Sequence, residues 1–310
     1  MRTAVIVNPR SAGGKTERRW PGVAALLERR LGPVEARFTQ RPGHATLIAR
    51  ELLHQGFDRI LAAGGDGTIH EVANGFVEND YPLRPEAALG IVPLGTGGDF
   101  RRTLEIPSSP GGAIEALAES RPRLIDLGKA TFRARDGSTS TRYFVNLLSF
   151  GMGGEVASRA QTAPPALGGS TAFLYATLIS FFVYQQKRVR LRLDGSEAAE
   201  SFAIYNIAVG NGRFHGGGMR VCPTADPSDG VFEVTVIDYL RRWEALKDLR
   251  VLYSENVYRH PKVRHLRASR LQAESAEEVR IEIDGEPLGT LPLEVEVLPQ
   301  RLNVLFPPAS

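Results

Sequence analysis

The sequence predicts an α/β domain on a parallel sheet over residues 1–127, followed by an antiparallel β-sandwich over 128–299. Three observations carry this. At 310 residues the chain exceeds most single cores. Up to Leu127, short apolar runs alternate with stretches of helical spacing, the pattern of a parallel sheet. Beyond it, apolar and charged residues alternate every second position, the mark of half-exposed antiparallel strands.

The first half follows in order. Ala4–Val7 is an apolar strand. Trp20, Val23, Ala24, Leu27 and Leu31 line one helical face, with Pro21-Gly22 set awkwardly inside it. Val34–Thr39 is a second strand. Ala45, Ile48, Ala49, Leu52 and Leu53 make the next helical face, closed by Gly56. Strand 60–63, helix 69–77, strand Ala88–Val92 and helix Gly111–Ser120 complete the alternation.

In the second half, Tyr143–Leu148 and Ala203–Val209 are apolar strands. Val189, Leu191 and Leu193 alternate with arginines; Val279, Ile281 and Ile283 alternate with Arg280, Glu282 and Asp284; Leu293, Val295 and Val297 alternate with glutamates. Residues 171–184 read as one mostly apolar helix. The last strand, Leu302–Phe306, belongs to either domain, so a tail of about 300–310 can return to the first.

The densest chemistry lies at Gly64-Gly65-Asp66-Gly67-Thr68, between a buried strand and a helix start. Glycines let backbone approach a ligand closely, and the free N–H groups of a new helix favour an anion. A second turn with the same ingredients, Pro93-Leu94-Gly95-Thr96-Gly97-Gly98-Asp99-Phe100, follows strand 88–92. In a parallel sheet, ligands sit beyond the carboxyl ends of the strands, so two such turns converge on one phosphate site. A third loop, Asn8-Pro9-Arg10-Ser11-Ala12-Gly13-Gly14-Lys15-Thr16, nearly matches the P-loop pattern, but Pro9 stands where the first glycine belongs.

Other templates fail. No set completes G-x-G-x-x-G, no G-x-S-x-G elbow occurs, and the 6 histidines lack metal-binding spacing. Net charge is +3 and 24 % of residues are charged, compatible with phosphates or an anionic surface but too little to argue for nucleic acid. The lone Cys222 rules out an internal disulfide. The longest apolar stretch, 171–184, is shorter than the roughly 20 residues a membrane span needs. A cytoplasmic protein with at most peripheral membrane contact is expected.

Two acidic spots remain open on spacing alone. Asp226-Pro227-Ser228-Asp229-Gly230 offers two carboxylates in one turn, which suits a hard cation or is simply a turn. Asp284-Gly285-Glu286 closes a strand, and Asp-Gly is a hairpin signal.

Taken in order, Gly64-Gly65-Asp66-Gly67-Thr68, Pro93 to Phe100, Asp126-Leu127-Gly128 and Asp284-Gly285-Glu286 resemble the diacylglycerol kinase catalytic family. This family includes soluble bacterial lipid kinases and the sphingosine and ceramide kinases. Asn8-Pro9…Gly13-Gly14-Lys15 and Thr39…Gly43-His44-Ala45 also fit, and the resemblance spans nearly the whole chain. The double-glycine–Asp motif is shared with NAD kinases and phosphofructokinases; the second loop and the Asp-Gly-Glu ending favour the lipid branch.

The resemblance implies an ATP-binding first domain, a lipid-binding β-sandwich, and nucleotide in the cleft between them. By similarity, Asn8, Thr39, Gly64, Gly65, Asp66, Gly67, Thr68, Ile69, His70, Gly95 and Thr96 contact ATP. Asp66, Asp99 and Asp126 hold a Mg²⁺–water network. Asp226, Asp229 and the Val231 carbonyl form a structural Mg²⁺ site. Asp284 is the catalytic base, with Glu286 beside it. Two positions depart from the pattern: Gly98 and His70 stand where family members commonly have Asn.

The implied reaction moves the γ-phosphoryl of Mg·ATP to a lipid hydroxyl at the inner membrane face. Helix 171–184, with Phe173, Leu174, Leu178, Ile179, Phe181, Phe182 and Val183, is a candidate wall for acyl chains or a packing helix. Arg188, Arg190, Arg192 and the basic run 259–270 face anionic headgroups or plain solvent. A homodimer is compatible with this reading. The rivals are a NAD kinase-like phosphotransferase and a nucleotide-binding regulator without turnover, the latter kept open by Gly98.

Overall fold

The computed structural model describes residues 1–163, 169–239 and 249–308, with backbone alone at 169–171, 173, 174 and 249. The chain divides into two compact units, Met1–Leu127 with Leu298–Ser310, and Gly128–Val297.

In the first unit the elements are β1 (Thr3–Val7), α1 (Lys15–Leu31), β2 (Val34–Phe38), α2 (His44–His54), β3 (Arg59–Gly64) and α3 (Asp66–Phe76). A small hairpin of β4 (Val77–Glu78) and β5 (Tyr81–Pro82) leads to β6 (Ala88–Pro93), α4 (Asp99–Thr103), α5 (Pro110–Glu119) and the start of β7 (Arg121–Ala134). The sheet is parallel, with β6, β3, β1 and β2 side by side. Asn303 and Val304 of the last strand add to its edge, parallel to Ala88 and Leu89 of β6.

β1 is buried at every position and β3 and β6 at five of six, because helices cover both faces. Edge strand β2 alternates more polar residues at half-exposed positions. Leu61, Val92, Leu27, Ile114 and Leu117 share one core. Helix α1 runs through Pro21 without ending; the missing N–H there forgoes one helical bond to the Glu17 carbonyl. Helix α5 starts one residue before the expected Gly111: Pro110 takes the first turn, and the Gly112 N–H donates to Ser109 Oγ at 3.1 Å.

The second unit contains β8 (Thr139–Phe144), β9 (Leu147–Gly151), α6 (Met152–Thr162), α7 (Gly169–Val183), β10 (Lys187–Leu193), β11 (Glu200–Gly210), β12 (Phe232–Asp238), β13 (Val263–Ala268), β14 (Arg270–Glu274), β15 (Arg280–Ile283) and β16 (Glu286–Phe306). Its pairings are antiparallel: β9 with β11 and β15, β12 with β11 and β13, β14 with β10 and β16. Its core gathers Phe144, Phe150, Ile207, Phe232, Val234, Leu271, Ile281 and Val295. Among the described residues no helix is long and apolar enough to cross a membrane.

Three details differ from the sequence expectation. The run Tyr143–Leu148 is two strands, interrupted at Val145-Asn146, whose N–H groups turn to a side-chain carboxylate instead of a ladder. Helix α6 has no counterpart in the expectation, because Gly153-Gly154 disfavour a helix locally. Gly154 sits there because a Cβ would collide with the Arg280 carbonyl of β15, so the helix packs directly on that strand. Leu293–Val297 and Leu302–Phe306 belong to one continuous strand, β16.

Candidate active site

The two glycine turns meet. Pairing of β3 with β6 sets Gly64 opposite Pro93, so both chains turn at the same sheet edge. The Gly64 carbonyl accepts the N–H groups of Leu94 and Gly95 at 3.0 and 2.8 Å. A Cβ at Gly95 would lie 2.7 Å from Gly65 N, and one at Gly64 would lie 2.7 Å from Thr68 Cβ. Glycine is therefore required by close approach, of the Gly65 backbone at Gly95 and of the Thr68 side chain at Gly64, not by turn propensity alone. Gly64, Gly65, Gly95, Thr96, Gly97 and Gly98 line a cavity of about 180 Å³, together with Ile69, Arg101 and Arg102.

Asp66 opens α3 and points back across the cradle. Its Oδ2 accepts the Gly98 N–H at 2.5 Å, while its Oδ1 is buried with no hydrogen-bond partner. Burial, with the neighbouring Asp99 carboxylate adding to it, pushes its carboxyl above the ordinary range, against donation from the Gly98, Asp99 and Phe100 N–H groups. Asp99 is buried and held by Arg102 Nη1 at 2.7 Å. Asp126, also buried, accepts the Gln300 N–H at 2.8 Å.

The third loop reaches the same edge through Asn8, whose Nδ2 donates to Thr68 Oγ1 at 3.1 Å. Thr16 Oγ1 donates to the Leu94 carbonyl at 3.1 Å, tying that loop to the second glycine turn. Thr39 stands at the end of β2, its N–H on the Val7 carbonyl at 2.9 Å. Gly67 occupies the first turn of α3. His70 is buried in α3, with its carbonyl accepting from Asn74 Nδ2 at 2.9 Å.

In the second unit Asp284 occupies the β15–β16 hairpin with Gly285, both in left-handed backbone (φ 49° and 87°), the primed-turn geometry that Asp-Gly signals. Its carboxylate accepts three successive N–H groups: Val145 on Oδ2 at 3.1 Å, Asn146 and Leu147 on Oδ1 at 3.1 and 2.9 Å. Glu286, half-buried, starts β16.

No local sequence signal marks the groups that hold this turn. Glu282 is fully buried. It accepts Ser149 Oγ at 2.7 Å and the Gly285 N–H at 2.8 Å, with His215 Nε2 at 3.5 Å. Burial holds its carboxyl above the ordinary range, outweighing the His215 charge and the two donors. Its position in the alternation suggests a solvent face, but β15 is enclosed by β9, β16 and α6.

The Asp226–Gly230 turn is closed by protein groups. Asp226 Oδ1 accepts Ser228 N and Oγ at 3.0 and 2.7 Å, and Asp229 Oδ1 accepts the Val231 N–H at 3.2 Å. Asp229 Oδ2 is ion-paired with Arg267, which also holds the buried Glu233 at 3.1 Å. Among the described residues no group of three or more acidic, His or Cys side chains is placed to hold a metal. Several of the arginines are ion-paired too: Arg190 with Glu274, Arg264 with Asp238, Arg270 with Glu294.

On α7, Tyr175, Leu178, Phe182 and Val183 are 45–58 % exposed. The side chains of Phe173 and Leu174, part of the expected apolar wall, lie outside the described residues.

Residues 2–130 match the family model for the diacylglycerol kinase catalytic domain, and residues 146–306 that for the YegS C-terminal NAD kinase beta sandwich-like domain. Fold, cradle and matches define a kinase. A diacylglycerol kinase of Staphylococcus aureus (strain bovine RF122 / ET3-1) is 30% identical over 310 residues, covering 99% of this chain and 92% of its own; that of strain MRSA252 matches equally. The chain belongs to the diacylglycerol kinase family. Among solved structures, a diacylglycerol kinase from Bacillus anthracis str. Sterne shares the fold at TM-score 0.70 and 20% identity, covering 99% of this chain and 97% of that one. Yeast NADH kinase shares it more loosely, at TM-score 0.52 and 12% identity, over 100% and 84%.

Proposed function

We propose that this kinase transfers the γ-phosphoryl of Mg·ATP to a hydroxyl of a lipid such as diacylglycerol. The observation that carries the reading is the meeting of the two glycine turns around one cavity, with the Asp66 carboxylate bonded to the Gly98 N–H at its wall. Phosphoryl transfer needs alignment and charge neutralisation more than covalent help, and such a cradle supplies both.

In this reading Asp66, Asp99 and Asp126 would hold Mg²⁺ through intervening water and not as a direct ligand set, since among the described residues no three such side chains meet closely enough to ligate a metal. The fit rests on Asp66 Oδ1, a buried acceptor with no partner in a hard-oxygen set that suits this ion. When bound, Mg²⁺ neutralises phosphate charge. The chain's own contribution is positional: the glycine N–H groups other than those of Gly95 and Gly98, which are bonded within the protein, orient the phosphates, and Asn8 and Thr68 brace the cradle. Thr39, Thr96 and the other expected contacts belong to the same side.

Asp284 takes the hydroxyl proton as the oxygen bonds to phosphorus and ADP leaves. Three N–H donors keep its carboxylate in one orientation, and Glu286 stands beside it. A structural Mg²⁺ site would use Asp226, Asp229 and the Val231 carbonyl, and Arg267 would have to give up Asp229 to admit the ion. The exposed apolar residues of α7 supply contact with a membrane carrying the lipid.

The test supplies labelled Mg·ATP with diacylglycerol, sphingosine, ceramide or phosphatidylglycerol in mixed micelles, and with NAD in a separate arm. Label in a lipid phosphate is expected. Label in NAD alone, or nucleotide binding without transfer to any acceptor, overturns the reading.

A further inference from the structure

Arg101 has no part in the reading above, yet its side chain lines the glycine cavity. It lies over Gly98: a Cβ on that residue would stand 2.8 Å from Arg101 Nε and 3.2 and 3.3 Å from Cγ and Cδ. Gly98 is also in left-handed backbone (φ 92°), which glycine and asparagine adopt most readily, and as glycine it leaves the space to the arginine.

The guanidinium is under-used. Among the described residues its hydrogen bond is from Nη1 to the Ile106 carbonyl at 3.1 Å, one donor of five. Its neighbour Arg102 is already matched, by Asp99. Arg101 is partly desolvated and feels the like charge of Arg102, and both effects weaken its hold on the proton against the pull of Asp66 and Asp99. Two guanidinium groups set together in a cavity lined by backbone amides form an arrangement that an anion relieves.

We infer that Arg101 is a phosphate-binding residue of the cradle, admitted by the missing side chain at Gly98, and that it grips a phosphate oxygen of the bound nucleotide. This deepens the nucleotide reading and rests on it. Arginine suits the role because its planar fork pairs with phosphate oxygens two at a time.

The test is calorimetric titration of Mg·ATP, Mg·ADP and adenosine into wild type, R101A, R101Q, G98N and G98N/R101A. R101Q keeps a donor for the Ile106 carbonyl without the charge. Asn at 98 tolerates left-handed backbone but displaces the guanidinium. Loss of a charge-assisted contact predicts ATP and ADP affinities lower by about tenfold to a hundredfold in R101A and R101Q, with adenosine unaffected. G98N should lose as much, and adding R101A to it should cost nothing more. Melting temperatures report folding separately. Absence of nucleotide binding by wild type overturns the nucleotide reading and this inference together. Wild-type binding with equal affinity in R101Q overturns the inference alone.

Discussion

Gly95 and Gly65 touch backbone to backbone: a Cβ on Gly95 would lie 2.7 Å from Gly65 N. The cradle is thus one object made from two turns. Gly95→Ala should push the turns apart and lower nucleotide affinity by about tenfold or more, an over-packing effect of about 1–3 kcal/mol. Gly137→Ala, at a turn with open space around it, tests only backbone strain. Titration of Mg·ATP into both variants checks this, and equal affinities would remove the contact from the binding argument.

Asp284→Asn should abolish turnover while nucleotide affinity stays within about threefold of wild type. The amide retains an acceptor for Asn146 and Leu147, but its NH₂ faces the Val145 N–H, a mismatch costing about 1–3 kcal/mol of stability. Single-turnover rates and thermal melts separate the two effects. Activity within tenfold of wild type would release Asp284 from its role.

Glu282 predicts a pH signature. Its carboxyl is held above the ordinary value of 4.5, chiefly by burial. A raised folded value means the folded chain binds this proton more tightly than the unfolded chain. The resulting stability is fully present below 4.5 and is lost as pH rises through the raised value. Glu282→Gln cannot ionise, so its melting temperature relative to wild type should climb as pH rises above 4.5. A difference independent of pH would contradict the prediction.

Cys222 should be inert in the folded protein. It is fully buried, and that burial pushes its thiol up to about 12. An aromatic disulfide reagent at neutral pH should label it at the rate of unfolding, in step with denaturant. Stoichiometric labelling within seconds without denaturant would show that the site opens.

Leu178→Asp with Phe182→Asp should reduce pelleting with phosphatidylglycerol vesicles that carry diacylglycerol. Both residues are more than half exposed (53 % and 58 %), so stability should change by less than about 0.5 kcal/mol per residue. Unchanged pelleting would assign the apolar face of α7 to another use.

The legible part of this molecule is local. Strand, glycine turn and helix start sit in consecutive residues at 60–76, and the repeat at 88–103 supplies the convergence, since neighbouring parallel strands put their ends at one edge. What escapes is what long-range packing decides. Glu282 follows a solvent-facing alternation yet is buried on both sides. Val145 and Asn146 read as strand yet donate to a carboxylate 138 or 139 positions away. Arg101 follows a motif without belonging to it, and its location depends on the emptiness above Gly98.

Strand β16 leaves the second unit at Val297 and finishes the parallel sheet of the first, with Asn303 and Val304 against β6. On the ribosome these residues emerge only after the entire second unit. Until then the nascent first unit carries an open edge at Ala88 and Leu89, with amides and carbonyls exposed to any passing strand. Translation order therefore makes the earliest-made half the last to be sealed, since its closing strand is synthesised after its neighbour.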